Sequence, residues 1–329
     1  MIVSNLKRFF KTKMFTLLII LGLLVLCISV ASGGFFIRPS NIQRILDSMF
    51  ITSMLTIGAA FLLISGHVDL SVGSVGTGAG LMLGFLLRNL SFSWLPALAL
   101  VLLMAAAFGA LNATLVNIFR FPAFIATLAV ASVAEGLSYT FSGGAFIPVT
   151  DVFIRFIGAG RIGGAVPVSI VVVLAMFISY GLILSKTKFG RQAYLVGGNP
   201  QASFLSGINP KKISYALFVN SAVLAALAGV LLAARTTQAS SIGIKGQQFT
   251  GLTAAILGGV AFGGGTGGMG GAFVGLLILT AFANGMVVLH FDSYWSQVIN
   301  GAMLLLALTL DYVRKRNLFT TKTLGRGSL

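Results

Sequence analysis

The chain has 329 residues, of which 57% are apolar and only 9% charged, with a mean hydropathy of +1.00. Soluble domains carry about a quarter charged residues, so these values exclude an ordinary soluble enzyme and select the membrane class. The net charge of +16, from 22 Lys and Arg against 6 acids, is spread between apolar runs rather than gathered into a nucleic-acid patch.

In chain order, the first element follows four cations, Lys7, Arg8, Lys11 and Lys13. The uncharged run Met14 to Gly34 imitates a secretory signal, but its twenty-one residues are enough to span a bilayer. Leu26 stands before Cys27, where a lipoprotein cleavage site needs a small residue. An uncleaved first helix is expected, and the single cysteine excludes a disulfide framework. Further runs of spanning length cover 42–65, 70–87, 94–118, 122–142, 166–185, 213–234, 250–265, 270–290 and 295–312. The expectation is an all-α integral membrane protein of about ten transmembrane helices, forming one domain over 1–329. Nine are expected if the short, glycine-rich eighth run is re-entrant.

Lys and Arg orient the chain. With a cytoplasmic N-terminus, fifteen cations lie inside, and seven lie outside: Arg38, Arg44, Arg88, Arg155, Arg161, Arg235 and Lys245. Both termini are therefore expected in the cytoplasm. Two connections are long enough to carry structure. The external stretch 143–165 is half apolar and suits a short helix on the membrane surface. The internal stretch 186–212 has five cations and no acid, and its "NPQASFLSGI" reads as a short helix. Asn199 can cap it, Pro200 suits its first turn and Gly207 can end it.

Polar residues inside the runs are few. "ISGHVDLSVGS" (64–74) sets His67 two positions before Asp69, but no further metal ligand is nearby. Asp69 is placed either to cap the next helix or to face a transport path. Glu135 falls well inside a span, where an acid faces a polar cavity or a hydrogen-bonding neighbour. Paired carboxylates, HExxH and a Cys/His nucleophile pair are absent from the sequence.

"LGGVAFGGGTGGMGG" (257–271) holds nine glycines in fifteen positions. It is no phosphate loop, since it lacks the Lys-Ser/Thr pair and the following stretch is uncharged. Gly259, Gly263, Gly267, Gly271 and Gly275 recur every fourth residue, a spacing that lets membrane helices approach closely. So many glycines disfavour an unbroken helix, so a break is expected near "GGGTGG", as in elements that line transport paths.

Four stretches together resemble the permease family of sugar-type ABC importers, the group that includes ribose, xylose and galactoside permeases. They are "ISGHVDLSVGS", "TKFGRQAYLVGGNPQASFLSGI", "AAILGGVAFGGGTGGMGGAFVG" and, more weakly, "FPAFIATLA". The resemblance implies a dimer of permease chains, identical or homologous, in the bacterial cytoplasmic (inner) membrane. It also implies two cytoplasmic ATPase subunits, which hold the ATP and Mg, and an external solute-binding protein; this chain would bind no cofactor. Asn199, Pro200, Gln201, Ala202, Ser203, Phe204, Leu205, Ser206, Gly207 and Ile208 would form the coupling helix that docks into the ATPase. The chain departs from the family at His67, where many relatives have Gly, and at Gln248, Phe249 and Thr250, where relatives often carry acids.

The expected function is the gated path for a monosaccharide or related polyhydroxylated solute. His67, Asp69, Asn112, Glu135, Asn220, Phe249 and Asn284 are the candidate path residues, chosen for polarity or aromatic character. The alternatives are an ion-coupled secondary transporter using Glu135, and a membrane-embedded enzyme.

Overall fold

The computed structural model describes residues 13–164, 166–292 and 294–324. Lys7, Arg8, Lys11 and Arg326, used above for orientation, lie outside these residues. The helices in order are α1 (Lys13–Ala31), α2 (Pro39–Ile64), α3 (Val72–Arg88), α4 (Trp94–Asn117) and α5 (Ala123–Ser142). Next come α6 (Val152–Ala159), α7 (Val168–Lys186), α8 (Lys188–Gly198), α9 (Pro200–Leu205) and α10 (Pro210–Thr236). The last are α11 (Gln247–Leu257), α12 (Met269–Val288) and α13 (Tyr294–Leu324). Among the described residues, seven helices are long and apolar enough to cross a membrane: α1, α2, α4, α5, α7, α10 and α12. Val72–Arg88 and Val298–Thr309 are shorter apolar stretches.

Two short antiparallel pairings decorate the bundle. β1 (Ile147–Pro148) pairs with β4 (Gln238–Ala239), and β2 (Arg161–Ile162) with β3 (Val166–Pro167). Between them α6 provides the short helix expected within 143–165, capped by Asp151 through the Ile154 N–H at 3.0 Å.

α10 is the central post and packs against α2, α3, α4 and α6. Its contact with α3 is backbone on backbone: a Cβ at Gly80 would come within 2.9 Å of the Gly229 carbonyl oxygen. α4 joins in the same way, where a Cβ at Gly109 would meet Phe218 O and Val219 Cα at 2.7 Å. Small residues at such crossings let membrane helices pack by dispersion where no hydrophobic force acts between them. At one end of the bundle Arg235 of α10 grips Asp47 of α2, with Nη2 donating to Oδ2 at 2.8 Å and Nη1 to the Asp47 carbonyl at 2.7 Å. Ser169 of α7 donates to the other oxygen of the same carboxylate, so three helices meet on one acid.

The glycine tract is helical only towards its end. Gly259, Gly263 and Gly267 lie in the loop 258–268, and Gly259 and Gly267 have φ of +88° and +133°. Only Gly271 and Gly275 are helical; they face Gly258 and Ala254, where α12 crosses α11. The break near "GGGTGG" is present, but it joins two helices rather than interrupting one. The run 250–265 accordingly yields no spanning helix, because α11 is only eleven residues long and ends at Leu257.

Candidate functional site

The residues after α10 form a broken element. β4 leads into a run of bends and turns over 241–246, and α11 begins only after Gly246, at φ +87°. Non-helical backbone buried in the bundle needs partners for its polar groups. The Ile244 N–H finds one in Thr77 Oγ1 of α3 at 3.1 Å, a buried bond. A cavity of about 280 Å³ lies between this stretch, α3 and α10, with Thr77, Thr236, Ser240 and Phe146 on its walls.

Lys245, counted from sequence as a loop cation, instead forms an ion pair with Glu135 of α5. The pair is partly exposed, with 47% of the Lys245 and 30% of the Glu135 side chain accessible. Phe249, one turn further on, is also exposed. Composition gave no hint of the pairing, because the two residues are 110 positions apart.

Asp69 and Asn112 do come together. Asp69 Oδ1 accepts from Ser71 N at 2.8 Å and Ser71 Oγ at 2.6 Å, and Asn112 Nδ2 approaches both carboxylate oxygens at 3.3 and 3.4 Å. Asp69 and Ser71 lie in the connection 65–71 and Asn112 in α4, so the cluster ties the start of α3 to α4. Burial pushes the Asp69 carboxyl up to about 6, while the Ser71 and Asn112 donors pull it down. His67 packs edge-on against Phe218, with ring centroids 5.6 Å apart, and its Nδ1 lies 3.2 Å from Ser65 Oγ.

The remaining amide candidates are apart from these groups. Asn220 accepts from Tyr180 Oη at 2.7 Å, joining α10 to α7. Asn284 accepts from Asn41 Nδ2 at 2.8 Å, joining α12 to α2. Among the described residues, no group of three His, Cys, Asp or Glu could hold a metal ion.

At the end of the bundle where α2 stops, α8 and α9 form a second candidate region. Asn199 Oδ1 accepts from the Ala202 N–H at 3.0 Å, capping α9, and Gly207 follows at φ +79°. Ser203 is buried and bonds back to the Asn199 carbonyl, while Phe204 and Leu205 are 65% and 80% exposed. The glycine loop docks on the end of α2 and on α8, the helix that leads to α9. The Gly265 N–H donates to Ile64 O at 2.8 Å, and Tyr194 Oη of α8 donates to Gly267 O at 2.7 Å. Gly197 and Gly264 lie backbone to backbone, the space where a Cβ of Gly264 would lie being 2.7 Å from Gly197 O.

Residues 41–308 match the family described as branched-chain amino acid transport system / permease component. The ribose import permease protein of Bacillus subtilis is 30% identical, over 88% of this chain and 90% of its own length. The L-arabinose ABC transporter permease protein of Azospirillum brasilense is 31% identical, over 85% and 82%. The xylose transport system permease protein of Haemophilus influenzae is 28% identical, over 93% and 98%. No solved structure matches the chain.

Proposed function

This chain belongs to the branched-chain amino acid transport system / permease component family, and from that premise we propose that it forms the gated path of an ABC importer for a monosaccharide or a related small polyhydroxylated solute. The relatives named above are permeases for ribose, arabinose and xylose, which favours a sugar over an amino acid. The protein is a multi-pass protein of the bacterial inner membrane, with both termini and the 186–212 connection on the cytoplasmic side and 143–165 outside. Its energy comes from separate ATPase subunits that hold ATP and Mg, its solute from an external binding protein, and its pore from a second permease chain.

The observation that carries this reading is α9. Six residues held between the short α8 and the long α10 present Phe204 and Leu205 outward on a capped turn. Lys186, Lys188, Arg191, Lys211 and Lys212 are close by in sequence, as expected of a cytoplasmic end. An exposed aromatic–aliphatic pair on such a knob fits a groove in a soluble partner. The broken element with Glu135 and Phe249 is assigned to the path.

The test is reconstitution with the ATPase and binding protein in liposomes, reading labelled pentose uptake and ATP hydrolysis together. Phe204→Ser with Leu205→Ser is expected to lower ATP-driven uptake by more than about tenfold, since truncating one interface anchor alone is worth about that. Unchanged uptake in that variant would overturn the docking role. Uptake that survives without any ATPase, and follows a proton or sodium gradient, would favour an ion-coupled carrier using Glu135.

A further inference from the structure

We propose that Glu135 and Lys245 form a polar station on the solute path, where a neutral polyhydroxylated solute trades hydroxyl hydrogen bonds with both side chains and is selected by them. This deepens, and rests on, the function proposed above.

Depth and exposure carry the argument. α5 has twenty residues and so is about 30 Å long, and Glu135 lies seven residues, about 10 Å, inside one end. Lys245 reaches it from the tip of the broken element. Charged side chains at such depth are too costly to face hydrocarbon and turn toward protein or water-filled cavities. Yet both side chains are accessible. No other described part of this chain fully covers the pair, so at that depth it must meet water or a second permease chain, and we assign it to the water of the path.

The surroundings suit a sugar. Tyr139, one turn along α5 from Glu135, is 41% exposed, and Phe249 of α11 is 42% exposed. These aromatic rings offer apolar faces to the C–H side of a sugar ring. The ammonium only donates hydrogen bonds and the carboxylate only accepts them. A vicinal diol does both, so it can accept from Nζ and donate to the carboxylate, replacing the bonds it interrupts. Passage then leaves no buried charge without a partner, which keeps the station weak enough to release its cargo. An aliphatic amino acid carries no such diol, and its two full charges would compete with the pair instead.

The chain has one cysteine, Cys27, so Cys27→Ser gives a clean background. On it, Lys245→Cys and Ile242→Cys are made in the reconstituted full complex; Ile242 is 65% exposed on the same stretch and makes no ion pair. Both are expected to react with a charged, water-soluble methanethiosulfonate; Ile242→Cys, which keeps the ion pair, is expected to be slowed by ribose, xylose or arabinose but not by leucine. Reaction only with a lipid-soluble maleimide would overturn the placement.

In uptake assays, Glu135→Gln or Lys245→Met is expected to reduce transport about tenfold. The exchanged pair, Glu135→Lys with Lys245→Glu, is expected to restore uptake with an altered preference among the three pentoses. Wild-type preference in the exchanged pair would show a structural clip and overturn selection. If the unsubstituted complex carries none of the sugars, the functional reading fails, and selection by diols with it. Labelling then decides alone whether the pair lines a water-filled path. Protection by leucine rather than by sugars would overturn the diol chemistry.

Discussion

Gly229→Ala sets helix propensity against packing at the crossing of α3 and α10. Propensity favours Ala over Gly by about 1 kcal/mol in a helix interior. The added Cβ, however, would lie 2.5 Å from the Gly76 carbonyl carbon and 3.1 Å from its Cα, with the carbonyl oxygen closer still. Carbon atoms rest about 3.5–4.0 Å apart, and the obstacle is backbone that cannot swing aside. The helices must therefore separate by about 1 Å, which forfeits a quarter to a half of the dispersion energy of the contacts that open. Overpacking against backbone this close costs about 2–3 kcal/mol, the upper part of the usual range, so after the propensity gain the net expectation is a loss of about 1–2 kcal/mol. Gly136→Ala is the control: nothing lies within 4 Å of its Cβ position, so stability should hold or rise by up to about 1 kcal/mol. Thermal unfolding in mild detergent, followed by size-exclusion fluorescence, measures both. Equal midpoints for the two variants would refute the claim that α3 and α10 touch through their backbones.

Two further changes probe the ends of the bundle. Asp47→Ala removes the acceptor shared by Arg235 and Ser169. Partial exposure of the pair reduces the usual worth of a charged hydrogen bond, so a loss of about 1–2 kcal/mol is expected in the same thermal assay. Tyr194→Phe removes the bond from α8 to the Gly267 carbonyl. If α8 and the glycine loop move as one body, ATP hydrolysed per solute carried should rise while the thermal midpoint shifts little; an unchanged ratio would separate the loop from coupling.

Most of the helices are legible because long uncharged runs leave few alternatives at membrane depth. The same chemistry hides which helices touch, since lipid-facing and buried positions are equally apolar. The spacing rule for small residues was sound, yet the tract 259–275 attracted it for its density. Gly76, Gly80 and Gly84 of α3 also recur every fourth residue, and there the helix is continuous. Gly76 and Gly80 meet α10, and Gly84 packs against Ile147. What spoiled the other tract was backbone conformation: positive φ at Gly259, Gly264, Gly265 and Gly267 forces loop geometry that spacing does not report. Asn220 and Asn284, chosen for polarity within spans, turned out to bridge helices. A half-buried amide satisfied by one neighbour looks the same in sequence as one facing a pore.

The broken element was the least legible feature because its stability resides in another helix. "SSIGIKGQQ" alone reads as a polar connection between two spans. It enters the bundle because α3 is built to receive it. A Cβ on Gly76 would strike the Ile244 side chain, one on Gly73 would strike Gln248, and Thr77 supplies the acceptor for the Ile244 N–H. Three positions of one helix turn thus make room for, and satisfy, a stretch some 170 residues later. That stretch in turn carries Lys245 to Glu135. A larger residue at Gly73 or Gly76 would act on the ion pair without touching it, by expelling the turn that holds Lys245 in place.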